Sequence, residues 1–508
     1  MTTNHADQAA STGAAPRQWL GLAVLALPTF VLSMDVTVLY LAVPHLAVDL
    51  RPKGTELLWI TDIYGFMIAG FLVPMGVLGD RIGRRRLLLV GAAVFAAASI
   101  LAAYSTSTGM LIATRAVLGV AGATLMPSTL ALLSNMFQQP RQRGAAIGIW
   151  AASLSAGVAL GPLVGGALLD WFWWGAAFLI AVPVMVLLLI AGPWLLPEFR
   201  DHRSARMDAA SIALFLAAVL PVVGGIKQLA NSGATPVAVA FIACGLAAGL
   251  SFWRRQRRLS NPMVDVGLFR DRKFATTIVT LILGLASVAG VYLFVTVYLQ
   301  YVADLSAFEA GLWLLLPAVA MTVTSILAPR LAQRCSASVI VCGSLALSAI
   351  GFALITQLDA GSGPVPLLAG ITVVYLGQGP IMALGTDLVV GAAPPRKAGA
   401  ASALSETSVE LGLALGVALL GSLGNAVYRQ HLTVPDALST AAAETARQSV
   451  IDAAAIAGQL PHGLAGDLTQ AAREAFAISL NHVAVAAATT AGLLALLTIT
   501  AHRHLPKR

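Results

Sequence analysis

Charge is scarce in this chain. Of 508 residues only 11% are Asp, Glu, Lys or Arg, while 58% are hydrophobic. Soluble domains carry about 25% charged residues, so the composition excludes one and marks a polytopic membrane protein. Cysteine is rarer still. Cys244, Cys335 and Cys342 form neither a CxxC nor a Cys/His cluster, which argues against a disulfide framework and a zinc site. The chain lacks a GxxxxGK phosphate loop and an HExxH motif. Its histidines (His5, His45, His202, His431, His462, His482, His502 and His504) are scattered toward loops and ends. Nothing here has the spacing of a membrane enzyme. The first 16 or so residues lack a basic stretch, and the apolar run after them carries Asp35. That run reads as a retained helix rather than a cleaved signal.

What is present is long apolar runs. A crossing needs roughly 20 apolar residues. Fourteen runs meet that rule: 18–42, 57–78, 87–105, 110–134, 144–167, 175–196, 208–229, 235–254, 274–301, 309–329, 337–357, 365–391, 399–426 and 478–501. With both termini in the cytoplasm, most Lys and Arg fall on cytoplasmic segments. Arg51, Lys53, Arg429, Arg447 and Arg473 fall outside, and Arg115 and Lys227 lie within spans. The reverse orientation violates the positive-inside bias. The net charge of +8 is therefore a topology signal. The basic run Arg254-Arg255-Gln256-Arg257-Arg258 follows a span directly and reads as a cytoplasmic anchor, not as a nucleic-acid patch.

The chain repeats itself. Gly144, Gly157, Gly161 and Gly166 of span 5 recur as Gly399, Gly412, Gly416 and Gly421 of span 13, each at offset 255. Leu78-Gly79-Asp80-Arg81 has a weaker echo in Leu331-Ala332-Gln333-Arg334. Internal repeats of this kind are a transporter hallmark. The expected organisation is a six-helix half over 1–200, two inserted helices and a linker over 201–272, and a second six-helix half over 273–508. Residues at about 427–477 read as an extracytoplasmic helical hairpin, with an unstructured linker as the alternative. The repeat also sets Glu406 opposite Ala151 and Glu410 opposite Ser155, so the second half has acquired two acids.

Span 5 contains Gly148, Gly157, Gly161-Pro162 and Gly165-Gly166. So much glycine in a membrane helix is expensive unless backbones pack closely and the helix bends. The spacing resembles the antiporter signature of drug exporters in the major facilitator superfamily. Gly76, Asp80, Arg81, Gly83 and Arg84, between spans 2 and 3, resemble that superfamily's signature loop. Met34-Asp35-Val-Thr37-Val-Leu-Tyr40-Leu-Ala-Val-Pro44 resembles the first-helix motif of its fourteen-span drug:proton antiporters, with Tyr40 where asparagine is usual. The stretch around Arg115, Gly119 and Gly122 resembles the fourth-helix motif, with Leu118 where glutamine is common. The resemblance implies an all-α fold of two pseudo-symmetric six-helix halves plus two inserted helices. It also implies that the signature loop latches the halves together on the cytoplasmic side.

The acids inside the spans carry the functional reading, because an intramembrane carboxylate is costly and functional by default. Asp35 lies about 13 Å from the outer helix end. Arg115, on the oppositely running span 4, can reach the same depth and hold Asp35 ionised, which makes a proton switch; snorkelling of Arg115 to the interface is the alternative. Asp62 resembles an acid of quaternary-ammonium exporters, though its shallow position equally suits a solvated interfacial aspartate. Glu406 and Glu410 share one helix face, and two such close acids cannot both be cheaply ionised. Asp387 reads mainly as interfacial. Tyr64, Tyr292 and Phe294 are candidate stacking partners for a flat cation.

The expected function is proton-coupled export of lipophilic cations such as quaternary ammonium compounds, dyes and biocides, by alternating access in a bacterial inner membrane. Asp35, Arg115, Glu406 and Glu410 would couple protons, and Asp35, Asp62, Glu406, Glu410, Tyr64, Tyr292 and Phe294 would bind cargo. No cofactor, metal or nucleic acid is expected; the proton gradient supplies the energy, and the unit is a monomer. The alternative is export of an endogenous metabolite, lipid or antibiotic through the same fold.

Overall fold

The structure is a computed structural model that describes residues 16–52, 54–137, 139–200, 208–260, 262–392 and 398–502. The regular structure of the described residues is helical throughout. Spans 1 to 5 are the single helices α1 (Pro16–Leu50), α2 (Gly54–Ile82), α3 (Arg84–Ala103), α4 (Thr108–Met136) and α5 (Pro140–Trp171). Span 6 is divided into α6 (Ala176–Leu179) and α7 (Ala181–Leu195). Spans 7 and 8 are α8 (Ala209–Ser232) and α9 (Pro236–Gln256). Span 9 is α10 (Arg272–Val297), which runs into a π-turn at Tyr298–Val302. Spans 10 to 13 are α11 (Ala307–Leu331), α12 (Ala337–Ile355), α13 (Pro364–Ala392) and α14 (Ala398–His431). The short α15 (Thr440–Ala446) and α16 (Val450–Ala457) precede α17 (His462–His502), which is span 14. Fourteen helical spans among the described residues, with α6 and α7 together making one of them, are long and apolar enough to cross a membrane.

Alternation of the helices puts the start of α1 and the end of α17 on one face, here the terminal face. The segment between α14 and α17 lies on the opposite, loop face. Side chains such as Ile190, Trp194, Leu246, Leu493 and Leu496 are more than 60% exposed. An apolar belt of that kind belongs against hydrocarbon.

Lipid is as apolar as leucine, so helices in a bilayer associate through close packing of small residues. The glycine repeat provides that packing. On α5, a Cβ at Gly157 would run into the Phe30 carbonyl of α1, and one at Gly161 into Thr37. On α14, a Cβ at Gly412 would lie 2.6 Å from the Ile282 carbonyl of α10, and one at Gly416 would strike the Ala286 carbonyl. The α5–α1 packing is thus repeated by α14 on α10. The two six-helix groups also meet on the loop face. Gly166 of α5 abuts the Ala307 carbonyl, and Gly311 of α11 abuts the Pro162 carbonyl. A capping box holds the start of α11 there: Ser306 N donates to Glu309 at 2.9 Å, and Glu309 N donates to Ser306 at 3.2 Å. Gly148 and Gly76 differ from this pattern, since a Cβ at either would meet nothing within 4 Å. The close-packing reading of span 5 is corrected at Gly148.

The inserted helices α8 and α9 pack on each other, and α8 also packs on α2 and α14. It therefore bridges the two six-helix groups from outside. Asp208 caps α8, accepting from Ser211 N, and Arg255 at the end of α9 grips the same carboxylate at 2.9 and 3.1 Å. These contacts pull the Asp208 carboxyl down to about 2, Arg255 contributing most.

The loop expected at 427–477 is shorter. Its first residues complete α14 and its last sixteen belong to α17. The charges that make 462–477 look non-spanning sit on the exposed side of a continuous helix, while Leu468, Ala472, Ala475 and Phe476 are buried. Arg473 closes onto Asp304 and the Tyr301 carbonyl. The true connection contains α15 and α16. Val450 and Ile451 of α16 pack into one apolar cluster with Val43 and Leu58 from the first group and Phe294 from the second.

Candidate functional site

The signature loop makes a turn that only glycine tolerates. Gly83 has φ of +114°, and a Cβ there would strike the Glu198 carboxylate. Asp80 pairs with Arg84 at 2.6 Å. Arg85 N donates to Glu198 at 3.2 Å, the Arg85 guanidinium donates to the Leu196 carbonyl at 2.9 Å, and Arg84 N donates to the Phe199 carbonyl at 3.0 Å. These contacts bind the loop to the end of span 6, within its own six-helix group.

Deeper in the bundle, Asp35 of α1 and Arg115 of α4 meet at 2.6 Å, with 8% and 1% of their side chains exposed. The guanidinium reaches the Ile60 carbonyl of α2 at 3.4 Å and lies 4.5 Å from the centroid of the Tyr64 ring. Phe178 lies on another side at 5.8 Å. Arg115 is thus paired and buried, and the snorkelling alternative is set aside. Gly119 makes the contact possible, because a Cβ there would lie 2.5 Å from the Tyr64 carbonyl.

Glu410 of α14 comes from the second group, and its backbone carbonyl packs against Gly65 of α2, next to Tyr64. Tyr64 lies within Coulombic reach of Asp35, Arg115 and Glu410, and Tyr40 within reach of Asp62, Arg115 and Glu410. Glu406 is one turn away and acts electrostatically on Glu410. Neither glutamate is ion-paired to a described residue. Tyr40 leads into an aromatic row, with Tyr292 at 5.6 Å and Tyr375 at 6.2 Å beyond it. Position 40, where the motif departs from asparagine, is therefore an aromatic bridge between α1 and α10. Phe294 lies elsewhere. It stacks on Phe476 at 5.5 Å and lines a small apolar cavity of about 50 Å³ under α16.

Asp62 is not a solvated interfacial acid. Its side chain is 0% exposed, and Lys227 of α8 sits 2.8 Å away with 1% exposure. The Lys227 ammonium also lies 3.8 Å from the centroid of the Trp59 ring. Sequence reasoning marks Lys227 only as an exception to the charge topology. The signal it passes over is cost, since a lysine inside an apolar span needs a partner acid. The side chain of Asp387 lies outside the described residues.

The family comparison covers most of the chain. Residues 25–417 match the model of the Major Facilitator Superfamily. The multidrug efflux pump LfrA of Mycolicibacterium smegmatis is 42% identical over 488 residues, which is 96% of this chain and 97% of that protein. The methyl viologen resistance protein SmvA of Salmonella typhimurium is 33% identical over 95% of this chain and 97% of its own. Among solved structures, the nucleoside transporter NupG superposes with a TM-score of 0.62 over 96% of this chain and 100% of its own, at 13% identity. That likeness shows the fold. Fourteen apolar helices, two six-helix groups with repeated glycine packing and a match over residues 25–417 lead to one conclusion: this chain is a multi-pass membrane transporter belonging to the Major Facilitator Superfamily.

Proposed function

We propose that the protein is a proton-coupled exporter of lipophilic cations in a bacterial inner membrane, with both termini in the cytoplasm and the loop face outside. The observation that carries this reading is the presence within the spans of one neutralised and one unneutralised acid system. Asp35 is held by Arg115, whereas Glu406 and Glu410 have no cation among the described residues. Carboxylates at that depth without a counter-charge must take up either protons or a cation. A cationic cargo and protons therefore compete for the span-13 pair, and this competition is what exchange requires. Arg115 supports a switch at Asp35: protonation of that acid breaks a buried pair and favours rearrangement of α1 against α4.

The aromatic row Tyr40, Tyr292 and Tyr375 supports a flat cargo. Methyl viologen, the compound in the Salmonella relative's name, is a flat organic dication, and the mycobacterial relative's name reads multidrug efflux. With the loop face outside, the contacts of Gly166 with Ala307 and of Gly311 with Pro162 close the outer side, and the signature loop is bound within its own half. That combination fits a state open toward the cytoplasm, before the latch forms.

Ethidium uptake into inside-out vesicles energised by a pH gradient tests the reading. Uptake that collapses with a protonophore and is absent in Asp35→Asn is the expected result. Properly inserted protein that moves none of several cationic dyes in a proton-linked way would overturn it and favour an endogenous cargo.

A further inference from the structure

The surroundings of Lys227 have the composition of a cation site, and the cation they hold belongs to the protein. Trp59 presents its ring face, Asp62 supplies a carboxylate, and Trp59 itself packs against the apolar cluster of Phe66, Val223, Ala414 and Ala418. An aromatic face beside a carboxylate in an apolar recess is how quaternary ammonium groups are recognised. The lysine has few partners there. Its ammonium has three N–H donors, and among the described residues it meets one carboxylate oxygen, of Asp62, at 2.8 Å and otherwise the Trp59 ring face. Unsatisfied buried donors are costly. A quaternary or aromatic cation has few N–H groups or none, so it escapes that cost in the same place.

Lys227 also has somewhere to go. It stands five residues from the loop-face end of α8, about 8 Å along the axis. A lysine stem can snorkel across that distance to the interface.

We infer that Lys227 is a tethered stand-in for cargo: it occupies a cation site formed by Trp59 and Asp62, and a lipophilic organic cation takes that site by displacing it. This rests on the cation-export reading above. It gives the inserted helix pair a role, because α8 touches both α2 and α14. Loss of the Lys227–Asp62 contact removes the charged link between α8 and α2 and leaves only their apolar packing.

The test is ethidium binding to the purified full-length protein, followed by fluorescence, together with acylation of Lys227 by a water-soluble amine reagent, read by mass spectrometry. Lys227→Met is expected to bind ethidium about tenfold more tightly, and Asp62→Asn/Lys227→Met to lose that gain. In the unmutated protein, saturating ethidium is expected to raise Lys227 labelling several-fold. The labelling arm needs no variant, so misfolding of Lys227→Met cannot hide the answer. Wild type that binds and exports ethidium, with Lys227 still protected and affinity unchanged in Lys227→Met, overturns this inference alone. Wild type that neither binds nor exports ethidium overturns the cation-export reading and this inference with it.

Discussion

Arg115 and Asp35 stand 80 residues apart in the chain and 2.6 Å apart in space, and their side chains are all but sealed from solvent. A buried pair of this kind is stable only while both charges persist. In the proposed mechanism its value lies in that fragility: a proton on Asp35 would leave the buried guanidinium with only the Ile60 carbonyl and the aromatic rings beside it, which favours movement of the helices.

The first prediction follows from that asymmetry. Asp35→Asn should lower stability by about 3 kcal/mol, because breaking a buried pair strands its partner. Asp35→Asn/Arg115→Gln should recover much of that loss while proton-driven uptake stays absent. Thermal unfolding in detergent, run as a double-mutant cycle beside vesicle transport, checks both halves.

Glu406 and Glu410 should behave in the opposite way. They lie partly buried on one helix within a span, without an ion-pair partner among the described residues, so removing their charges relieves a cost rather than creating one. Glu406→Gln/Glu410→Gln is expected to be at least as heat-stable as wild type. Its uptake of cationic dyes should fall about tenfold or more, equivalent to ~1.4 kcal/mol of lost recognition, while any neutral cargo is spared.

The glycine motif should divide under substitution. Gly416→Ala drives a methyl into the Ala286 backbone, where overpacking costs about 1–3 kcal/mol. Gly148→Ala meets open space and should be neutral, or stabilising by about 0.5–1 kcal/mol through helix propensity. Expression level, melting temperature and uptake measured for the two variants separate them.

Asp208 joins the inserted helices, and its pH response has a definite sign. Its carboxyl is held at about 2, below the unfolded value of about 3.9. The contribution is therefore fully present above about pH 4 and is lost as pH falls from there through 2. Asp208→Ala should cost about 1 kcal/mol through loss of the cap. The gap in melting temperature between variant and wild type should be constant from pH 6 to 8 and should begin to narrow below pH 4.

Much of this architecture is legible in the amino-acid sequence, for physical reasons. Apolar runs long enough to cross a bilayer announce themselves, and α1 to α5 fall where the runs predict. The repeat from Gly412 and Gly416 to Gly157 and Gly161 is legible because close packing in lipid demands small residues at fixed spacing. The meeting of Asp35 and Arg115 follows from the depth of each. The partner of Asp62 is harder to find. It sits on α8, outside the repeat, and hydropathy says nothing about which neighbour an added helix chooses. Hydropathy misplaces the start of α17, because charge on one helix face lowers the average without ending the helix. Phe294 and Tyr292 lie two residues apart, yet one lines the cavity under α16 and the other the tyrosine row.

The length of α17 has a practical consequence. Forty-one residues make a rod of about 60 Å, roughly twice the thickness of a bilayer core. Its first turns lie on the loop face, braced by Arg473 against the π-turn after α10 and packed on α16. A transporter sunk in a detergent belt usually offers imaging little to align on. Here the loop face carries a firmly packed helix end with exposed residues such as Asp467 and Glu474, and an antibody fragment raised against it would grip the molecule without touching Asp35, Asp62 or Glu410.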